Sequence, residues 1–460
     1  MYGKKLSFVL YFKKGSSGDP NNYRPISITS QIDKLFETII KEQLLTFLCT
    51  HSIISPAQHG FMPGHSTVTN LLEALNDWTS FIEEKKDIKI LYTDFTKAFD
   101  KVSIPKLVIK MEHYGIVGKL QDCIKSFLTS RSQQVRVGPA VSEPLNTISG
   151  VPQGSVLRLL LFLLYVNDLP SFMGCDVISK LFADDYKAYN AVDYKLYPML
   201  MQKSLDSLCS WSDTWQLDLA LSKCGSLMLA CGTKYVDEND LIVGDHVLST
   251  FDTVIDLGVT IDCDLRFARH IKNMVSKARQ RIFLIFKSFL VRDVDILTIA
   301  FKSYIRPILE YGSVVWSPTK LCDIDCIEDV QRNFTKRLQG LSDLPYADRL
   351  VLCGLQSLEL RRLHIDLILV FKIVYKMVSL DFDRFFALDK NNRTRGHNIK
   401  LSLPRCSSRV RQNFFSIRVI TAWNSLPSEC VNSTTVRIFK NRLLSVDLRL
   451  YLSRSMYDYV

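Results

Sequence analysis

Two adjacent aspartates, Asp184 and Asp185, stand in the middle of the stretch VISKLFADDYKAY at residues 177–189. Mostly apolar and aromatic residues flank the pair on both sides, which predicts two short strands that meet at a bend containing the aspartates. Two interpretations remain open at this point. Asp is common at solvated turns, but neighbouring carboxylates also repel each other unless a hard cation such as Mg²⁺ neutralises them.

A third acid ends another predicted strand. Residues 88–95 read IKILYTDF, an apolar run that finishes near Asp94. A single acid at a strand end is ordinary in most proteins. If the two strands lie side by side in one sheet, however, Asp94 meets Asp184 at a shared edge, and three carboxylates can then hold two Mg²⁺ ions. Such a pair of ions is a common device for nucleotidyl transfer, because one ion lowers the pKa of the attacking hydroxyl and both stabilise charge on the phosphate.

The remaining pattern predicts an α+β fold. Apolar residues recur at three- and four-residue spacing in residues 31–48, after a capping Ser30, and again in residues 67–83. Further helices are predicted at about 155–166 and 195–215, and short strands at 133–137, 226–230 and 241–249. Beyond residue 265 the pattern is almost wholly helical.

The charge distribution indicates an acidic partner such as nucleic acid or an anionic membrane. The chain carries 58 Lys and Arg against 47 Asp and Glu, a net charge of +11. Two stretches, 266–287 and 393–418, contain several basic residues and no Asp or Glu. Such stretches can be solvated helix faces, but two in one chain favour a surface that follows phosphates.

The cysteines and the apolar runs indicate the cellular environment that we expect for the chain. The twelve cysteines form no CxxC pair and have no His cluster at zinc spacing, so we expect reduced thiols in an intracellular protein. No apolar run is long enough to cross a bilayer, so we expect no membrane partner.

A series of motifs carries a family resemblance. In chain order they are YFKKGSSGDPNNYRPISITS, QHGFMPGHST, YTDFTKAFDKV, SGVPQGSVL, LLYVNDLP, LFADD, LSKC and DLGVTID. Together they resemble the reverse transcriptases of non-LTR (LINE-type) retrotransposons of the jockey-like kind. The later stretches YIRPILEYGSVVW and AWNSLP resemble the helical tail of such proteins, so the resemblance covers nearly the whole chain.

The resemblance implies a right-hand polymerase with an antiparallel palm sheet. We expect fingers in residues 1–88, a palm with inserted fingers elements and the primer grip in 89–262, a thumb-like helical region in 263–345, and a helical basic region in 346–460. Stretch 256–262 resembles the primer grip, and the basic stretch after it would be the thumb helix along the duplex. Full-length elements place an endonuclease domain upstream, and we expect this chain to lack it.

Individual residue roles follow from the same resemblance. Asp94, Asp184 and Asp185 correspond to the metal-binding palm acids, with Asp94 and Asp184 as principal ligands, and Phe99 corresponds to the aromatic gate that excludes a 2′-OH. The other matching residues are Gln153 and Gly154 at the incoming nucleotide, Lys223 as general acid on the pyrophosphate, and Arg24 as a grip on the triphosphate. Four of these residues also have an ordinary alternative role. Phe99 could pack in the core, Gln153 and Gly154 could form a turn, and Lys223 could lie on a solvated surface.

The implied activity is RNA-directed DNA polymerisation. A primer 3′-OH would attack a deoxynucleoside triphosphate with the help of two Mg²⁺ ions, or Mn²⁺ in their place. The implied partners are an RNA template, a DNA primer and their RNA–DNA hybrid. An RNA-dependent RNA polymerase is disfavoured by Phe99, and a nucleotide cyclase by the long fingers and thumb segments.

Several positions depart from the family pattern. Arg158 and Leu159 stand where relatives read Gly-Pro, Met62 and His65 stand where relatives often carry Arg, and Tyr186 stands in place of a common Thr. Ala220 likewise replaces a frequent Asn. These departures motivate an alternative hypothesis, a decayed remnant that only binds nucleic acid.

Overall fold

The computed structural model describes residues 5–12, 15–28, 30–129, 131–174, 176–191, 197–229, 240–389 and 396–453. The strands, in chain order, are β1 (Lys5–Phe12), β2 (Tyr23–Ile28), β3 (Ile88–Thr93), β4 (Ser132–Val137), β5 (Ala140–Val141), β6 (Leu145–Asn146), β7 (Ile178–Phe182), β8 (Asp185–Ala191), β9 (Gly225–Leu229), β10 (Ile242–Val243), β11 (His246–Val247), β12 (Ser249–Phe251), β13 (Thr253–Asp256) and β14 (Val259–Asp262).

The helices follow the same order along the chain. They are α1 (Gln31–Thr50), α2 (Thr67–Glu83), α3 (Ile104–His113), α4 (Gly118–Leu128), α5 (Arg158–Val166), α6 (Leu169–Phe172), α7 (Tyr197–Trp215), α8 (Ala268–Ser288), α9 (Val294–Ala300), α10 (Arg306–Glu310), α11 (Ser313–Trp316), α12 (Leu321–Lys336), α13 (Tyr346–Leu352), α14 (Leu358–Val374), α15 (Phe382–Phe385), α16 (Arg409–Gln412), α17 (Phe415–Arg418), α18 (Ile420–Asn424), α19 (Ser428–Val431) and α20 (Val436–Leu443).

The two helices predicted from apolar spacing near the amino terminus are confirmed. Ser30 caps α1 by accepting a hydrogen bond from the Ile32 amide. Ser66 and Thr69 form a reciprocal capping box at the start of α2. Each cap satisfies amides that have no partner within the helix, which fixes where the helix begins. Helix α5 starts at Arg158, a few residues later than the predicted 155.

The chain divides into two compact units. The first contains residues 1–62, 89–226 and 236–250, and the second contains 63–88, 227–235 and 251–460. The segment 63–88, which includes α2, therefore groups with the carboxy-terminal half. The expected fingers, palm and thumb boundaries remain a prediction.

Two sheets organise the first unit. In one, β1 pairs antiparallel with β2 and parallel with β4, and β5 and β6 both pair with β4. In the other, β3, β8 and β7 lie side by side in that order. Strands β7 and β8 form an antiparallel hairpin whose last pair is Phe182 opposite Asp185, which confirms the predicted hairpin around the aspartates. β3 is almost completely buried, as its apolar composition predicts.

The second unit is mainly helical, as predicted. Its longest helix, α8, buries an apolar stripe that includes Ile271, Val275 and Ile282. The basic side chains of α8 are exposed on the remaining surface. This segregation is that of an amphipathic helix packed by one face. A short hairpin formed by β13 and β14 precedes α8. This hairpin contains the stretch 256–262 that resembles the primer grip.

Part of the carboxy-terminal region holds α2 within this unit. The Arg411 Nη1 group donates hydrogen bonds to Asn76 Oδ1 at 3.0 Å and to Thr79 Oγ1 at 2.8 Å. Glu83 at the end of α2 accepts backbone N–H bonds from residues 407 and 408, which lowers the pKa of this carboxyl to about 2.

Across the described ranges, the helices include none with the length and apolarity needed to cross a membrane.

Candidate active site

The turn that carries the aspartates is held by a buried glutamine. Ala183 adopts a left-handed backbone conformation with φ of 58°. Gln58 is 2% exposed, and its Oε1 atom accepts hydrogen bonds from the amides of Gly60 at 2.7 Å and Ala183 at 3.0 Å. The same segment bridges to β7 through a hydrogen bond from the His59 amide to the Leu181 carbonyl. The QHG motif therefore supports the hairpin from outside the sheet.

The third predicted acid lies on the neighbouring strand. Asp94 directly follows β3, which is next to β8 in the sheet. Thr93 Oγ1 donates a 3.3 Å hydrogen bond to the carbonyl of Tyr186, the residue after the aspartate pair. Asp94 and the aspartate pair therefore reach the same edge of the sheet, as predicted from the two strand ends.

Lys223 is also brought to this edge. Its Nζ atom forms a 2.5 Å ion pair with Asp94 Oδ2. Backbone hydrogen bonds fix the segment, because the Ala220 amide donates to the Asp94 carbonyl at 2.8 Å and the Lys223 amide donates to the Ala220 carbonyl at 2.8 Å. The sequence motif LSKC thus places the Lys223 side chain against the Asp94 carboxylate.

The three carboxylates do not form one cluster. Within the described ranges, no group of three or more His, Cys, Asp or Glu side chains is arranged to hold a metal ion. Asp184 lies in the bend and is half-buried, whereas Asp185 is the exposed first residue of β8. The donor set of Asp94 and Asp184 still fits a hard divalent cation, since both offer partly accessible carboxylate oxygens on adjacent strand ends.

Phe99 lies in a cluster with residues of α5. Its ring stacks on Phe162 with a centroid distance of 4.0 Å and an interplanar angle of 26°. The guanidinium carbon of Arg158 lies 4.0 Å from the same ring centroid. Arg158, one of the departures from the family pattern, is therefore in direct contact with the predicted gate residue.

The loop that contains Gln153 and Gly154 is tied to the rest of the first unit. Gln153 Nε2 donates to both carboxylate oxygens of Asp100, at 2.8 and 3.1 Å, and the Gln153 carbonyl accepts from the Ser27 amide. Gly154 has φ of +116°, and an added Cβ would lie 2.4 Å from the Ser27 carbonyl oxygen. The backbone of residue 27 therefore approaches this position so closely that only glycine fits without displacement.

A buried carboxylate fastens the end of the same loop. Glu37 of α1 is 2% exposed, and its Oε2 atom accepts hydrogen bonds from Ser155 Oγ, the Val156 amide and the Leu157 amide at 2.6, 2.6 and 3.0 Å. These contacts join α1 to the start of α5. Arg24 lies in β2 opposite Tyr11, and its side chain falls outside the described part of the structure.

The two basic stretches differ in their surroundings. In the first, the basic residues of α8 are exposed. In the second, Arg411 binds α2, and Arg418 forms a 3.0 Å ion pair with the buried Asp366. Arg405 and Arg409 of that stretch are exposed. The prediction that residues 393–418 form a solvated or phosphate-following surface is therefore wrong for Arg411 and Arg418, which form internal contacts.

Three supporting residues were missed at the sequence level. Gln58, Glu37 and Asp100 all bind backbone or side chains of the candidate site from positions distant in sequence. Gln58 and Asp100 lie inside motifs that were recognised, but nothing in the local pattern indicates their partners. Glu37 lies in an amphipathic helix where an acid is expected to face solvent.

Comparison with known proteins decides the family. A family model described as "Reverse transcriptase (RNA-dependent DNA polymerase)" matches residues 12–261. The chain belongs to the reverse transcriptase family. Membership confirms the right-hand polymerase class that the motifs predicted, and the mixed helices and antiparallel sheets agree with it. It also implies dependence on divalent metal ions in general.

Curated relatives of this reverse transcriptase include proteins of mobile elements. The chain is 28% identical over 357 residues to the "RNA-directed DNA polymerase from mobile element jockey" of Drosophila melanogaster, covering 73% of this chain and 38% of that protein. It is 26% identical over 367 residues to the "Probable RNA-directed DNA polymerase from transposon BS" of the same species, covering 75% and 39%. The chain thus spans less than two fifths of these relatives' lengths.

Solved structures give weaker matches. The telomerase of Candida albicans in complex with a TWJ fragment of telomeric RNA has a TM-score of 0.42 and 12% identity, over 74% of this chain and 63% of that chain. The apo telomerase of Candida tropicalis has a TM-score of 0.40 and 11% identity, over 76% and 62%.

Proposed function

We propose that this chain is an RNA-directed DNA polymerase of a jockey-like non-LTR retrotransposon. Its substrates are an RNA template, a DNA primer and deoxynucleoside triphosphates. The observation that supports the proposal is that Asp94, which is paired with Lys223, and the Asp184–Asp185 bend lie on neighbouring strands of one sheet inside the family segment. Nuclear or cytoplasmic action follows from this function.

Asp94 and Asp184 would hold the divalent ions, with Mg²⁺ as the physiological ion and Mn²⁺ as a substitute. When bound, such ions lower the pKa of an attacking hydroxyl and stabilise charge on the phosphate. The chain itself orients these carboxylates through β3, β8 and the Gln58 support of the bend. Asp185, the first residue of β8, is more exposed than Asp94 and Asp184 and is proposed as the secondary acid of the site.

Lys223 has two tasks in this proposal. Its ammonium neutralises Asp94 through the ion pair. Because Lys223 is 64% exposed in its side chain, it can also turn toward a departing pyrophosphate and supply a proton. Arg24 is proposed to grip the triphosphate, because a guanidinium matches phosphate oxygens with two parallel hydrogen bonds.

The selection of the nucleotide is assigned to Phe99, Gln153 and Gly154. Phe99 is proposed to meet the sugar, where a bulky ring excludes a 2′-OH. Gln153, held by Asp100, and Gly154 form the surface against which the incoming nucleotide packs. The exposed basic face of α8 is proposed to follow the hybrid backbone, with affinity that falls steeply as salt rises.

Primer extension tests this function. Purified chain is incubated with oligo-dT on poly-rA and labelled dTTP, with Mg²⁺, with Mn²⁺ or with a chelator. We expect metal-dependent extension by the native chain and a loss of at least about 100-fold in Asp94→Asn and Asp184→Asn, by removal of metal-binding carboxylates. Asp206→Asn, an exposed acid on α7, serves as the matched control.

The outcomes separate the polymerase from a decayed remnant. If Asp184→Asn extends the primer as well as the native chain does, the assigned site is contradicted. Absence of extension, combined with salt-sensitive binding of hybrid duplex that needs neither metal nor nucleotide, would identify a chain that only binds nucleic acid.

A further inference from the structure

The ring of Phe99 contacts two side chains that are one helical turn apart. Arg158 and Phe162 are separated by four residues on α5, so their side chains lie on the same helix face. Each approaches the Phe99 ring to 4.0 Å, Phe162 as a stacked ring and Arg158 through its guanidinium carbon. Both side chains therefore contact the Phe99 ring from one face of α5.

This arrangement fixes the orientation of the ring. The backbone of Phe99 is already held, because its carbonyl accepts a 2.9 Å hydrogen bond from the Val151 amide. The ring itself is only half-buried, so its orientation depends on the groups that cover its faces. A glycine at position 158, as in the family pattern, would remove the guanidinium from the ring.

We propose that Arg158 is a positioning residue for Phe99 and thereby sharpens the selection of deoxynucleotides over ribonucleotides. This inference rests on the proposed polymerase function. A planar guanidinium covers an aromatic face by stacking and by attraction to the ring's negative face. At a partly exposed ring such contacts are worth about two- to fivefold in an equilibrium constant. A gate that keeps its orientation rejects a 2′-OH more completely than one that can turn aside.

A direct role of Arg158 on the nucleotide makes a different prediction. A cation beside the triphosphate would change the KM for deoxy- and ribonucleotides alike and leave their ratio unchanged. A residue that acts through the Phe99 ring changes the ratio, and only while the ring is present. The two roles therefore separate in a double-mutant cycle.

The experiment measures kcat/KM for dTTP and for UTP on poly-rA primed with oligo-dT. It compares the native chain with Arg158→Met, Arg158→Lys, Phe99→Leu and the Phe99→Leu, Arg158→Met double variant. Met keeps the length of the apolar stem but lacks the charge, while Lys keeps a charge that can lie over the ring. We expect Arg158→Met to lower the dTTP preference about two- to fivefold, with a smaller loss in Arg158→Lys. In the Phe99→Leu background, Arg158→Met should leave the preference unchanged.

An unchanged preference in Arg158→Met overturns the proposal, as does an equal loss with and without the Phe99 ring. A second measurement is independent of catalysis: the same four-variant cycle in thermal or urea unfolding. Coupling of about two- to fivefold between the two positions supports the contact, and strict additivity overturns it. If the native chain incorporates neither nucleotide, the proposed function fails and the selectivity role fails with it, while the unfolding cycle still judges the contact itself.

Discussion

Glu37 links the first helix to the candidate nucleotide site through one carboxylate oxygen. That oxygen accepts bonds from the Ser155 hydroxyl and from the amides of Val156 and Leu157. Leu157 precedes α5 and supplies no side-chain cap of its own. Val156 and Leu157 immediately precede the first helical residue, so Glu37 fixes the chain where it enters α5.

Replacing Glu37 with Ala should destabilise the first unit by about 3 kcal/mol. Hydrogen bonds to a charged acceptor are worth roughly 1.5–3 kcal/mol each, and a buried amide left without a partner costs roughly 1–3 kcal/mol. Two amides and one hydroxyl lose their acceptor in this variant. Relief of the burial cost of a carboxylate, whose Oε1 has no hydrogen-bond partner, offsets part of the sum. Glu37→Gln retains an acceptor oxygen and should cost only about 1 kcal/mol.

Urea unfolding and amide hydrogen exchange measure this effect. We expect the free energy of unfolding to fall in the order native, Glu37→Gln, Glu37→Ala, and the Val156 and Leu157 amides to exchange faster in Glu37→Ala. Glu42, an exposed acid on the same helix, gives the matched control Glu42→Ala. A supporting role of Glu37 is contradicted if Glu37→Ala and Glu42→Ala unfold within about 0.5 kcal/mol of each other, the usual range for surface changes, and exchange at the two amides is unaltered.

Three further predictions concern other parts of the chain. Gly60→Ala would place a Cβ atom 2.4 Å from the Ala183 amide, so we expect displacement of the aspartate hairpin, a lower Tm and weaker primer extension. Burial lowers the pKa of Lys110 from 10.5 to about 8, so between these values the unfolded chain binds more protons than the folded chain, and stability should rise with pH by about 2–3 kcal/mol. Lys110→Met should lack this rise when unfolding is compared at pH 8 and pH 10. Arg411→Ala should destabilise the second unit by about 2 kcal/mol through the lost contacts with α2, while Arg409→Ala, at an exposed site, should change little in the same urea titration.

Features with a local cause could be predicted from the sequence. The helix starts at Ser30 and Ser66, the hairpin at the aspartates and the burial of β3 all follow from caps and apolar spacing within a few residues. The adjacency of β3 and β8 was only a condition in the sequence analysis, and the sheet order meets that condition. Such signals lie in the segment that forms the structure.

Contacts between distant segments could not be predicted in the same way. The hydrogen bond from Ser155 to Glu37 joins residues 118 positions apart, and that from Ala183 to Gln58 joins residues 125 apart. An acid on a helix face or a glutamine in a loop looks solvated when only its neighbours are considered. Arg411 and Arg418 show the same effect for charge, since their acid-free surroundings in sequence conceal partners supplied by other helices.

The departures from the family pattern bear on whether the site is still formed. Substitutions that accumulate without constraint leave cavities or unpaired polar groups, each costly in a packed interior. Tyr186 is instead 2% exposed, and its hydroxyl lies 2.9 Å from Ser179 Oγ. Arg158 covers the ring of Phe99. Both side chains are accommodated by specific contacts, which argues that these two departures adjust a formed structure rather than dismantle it.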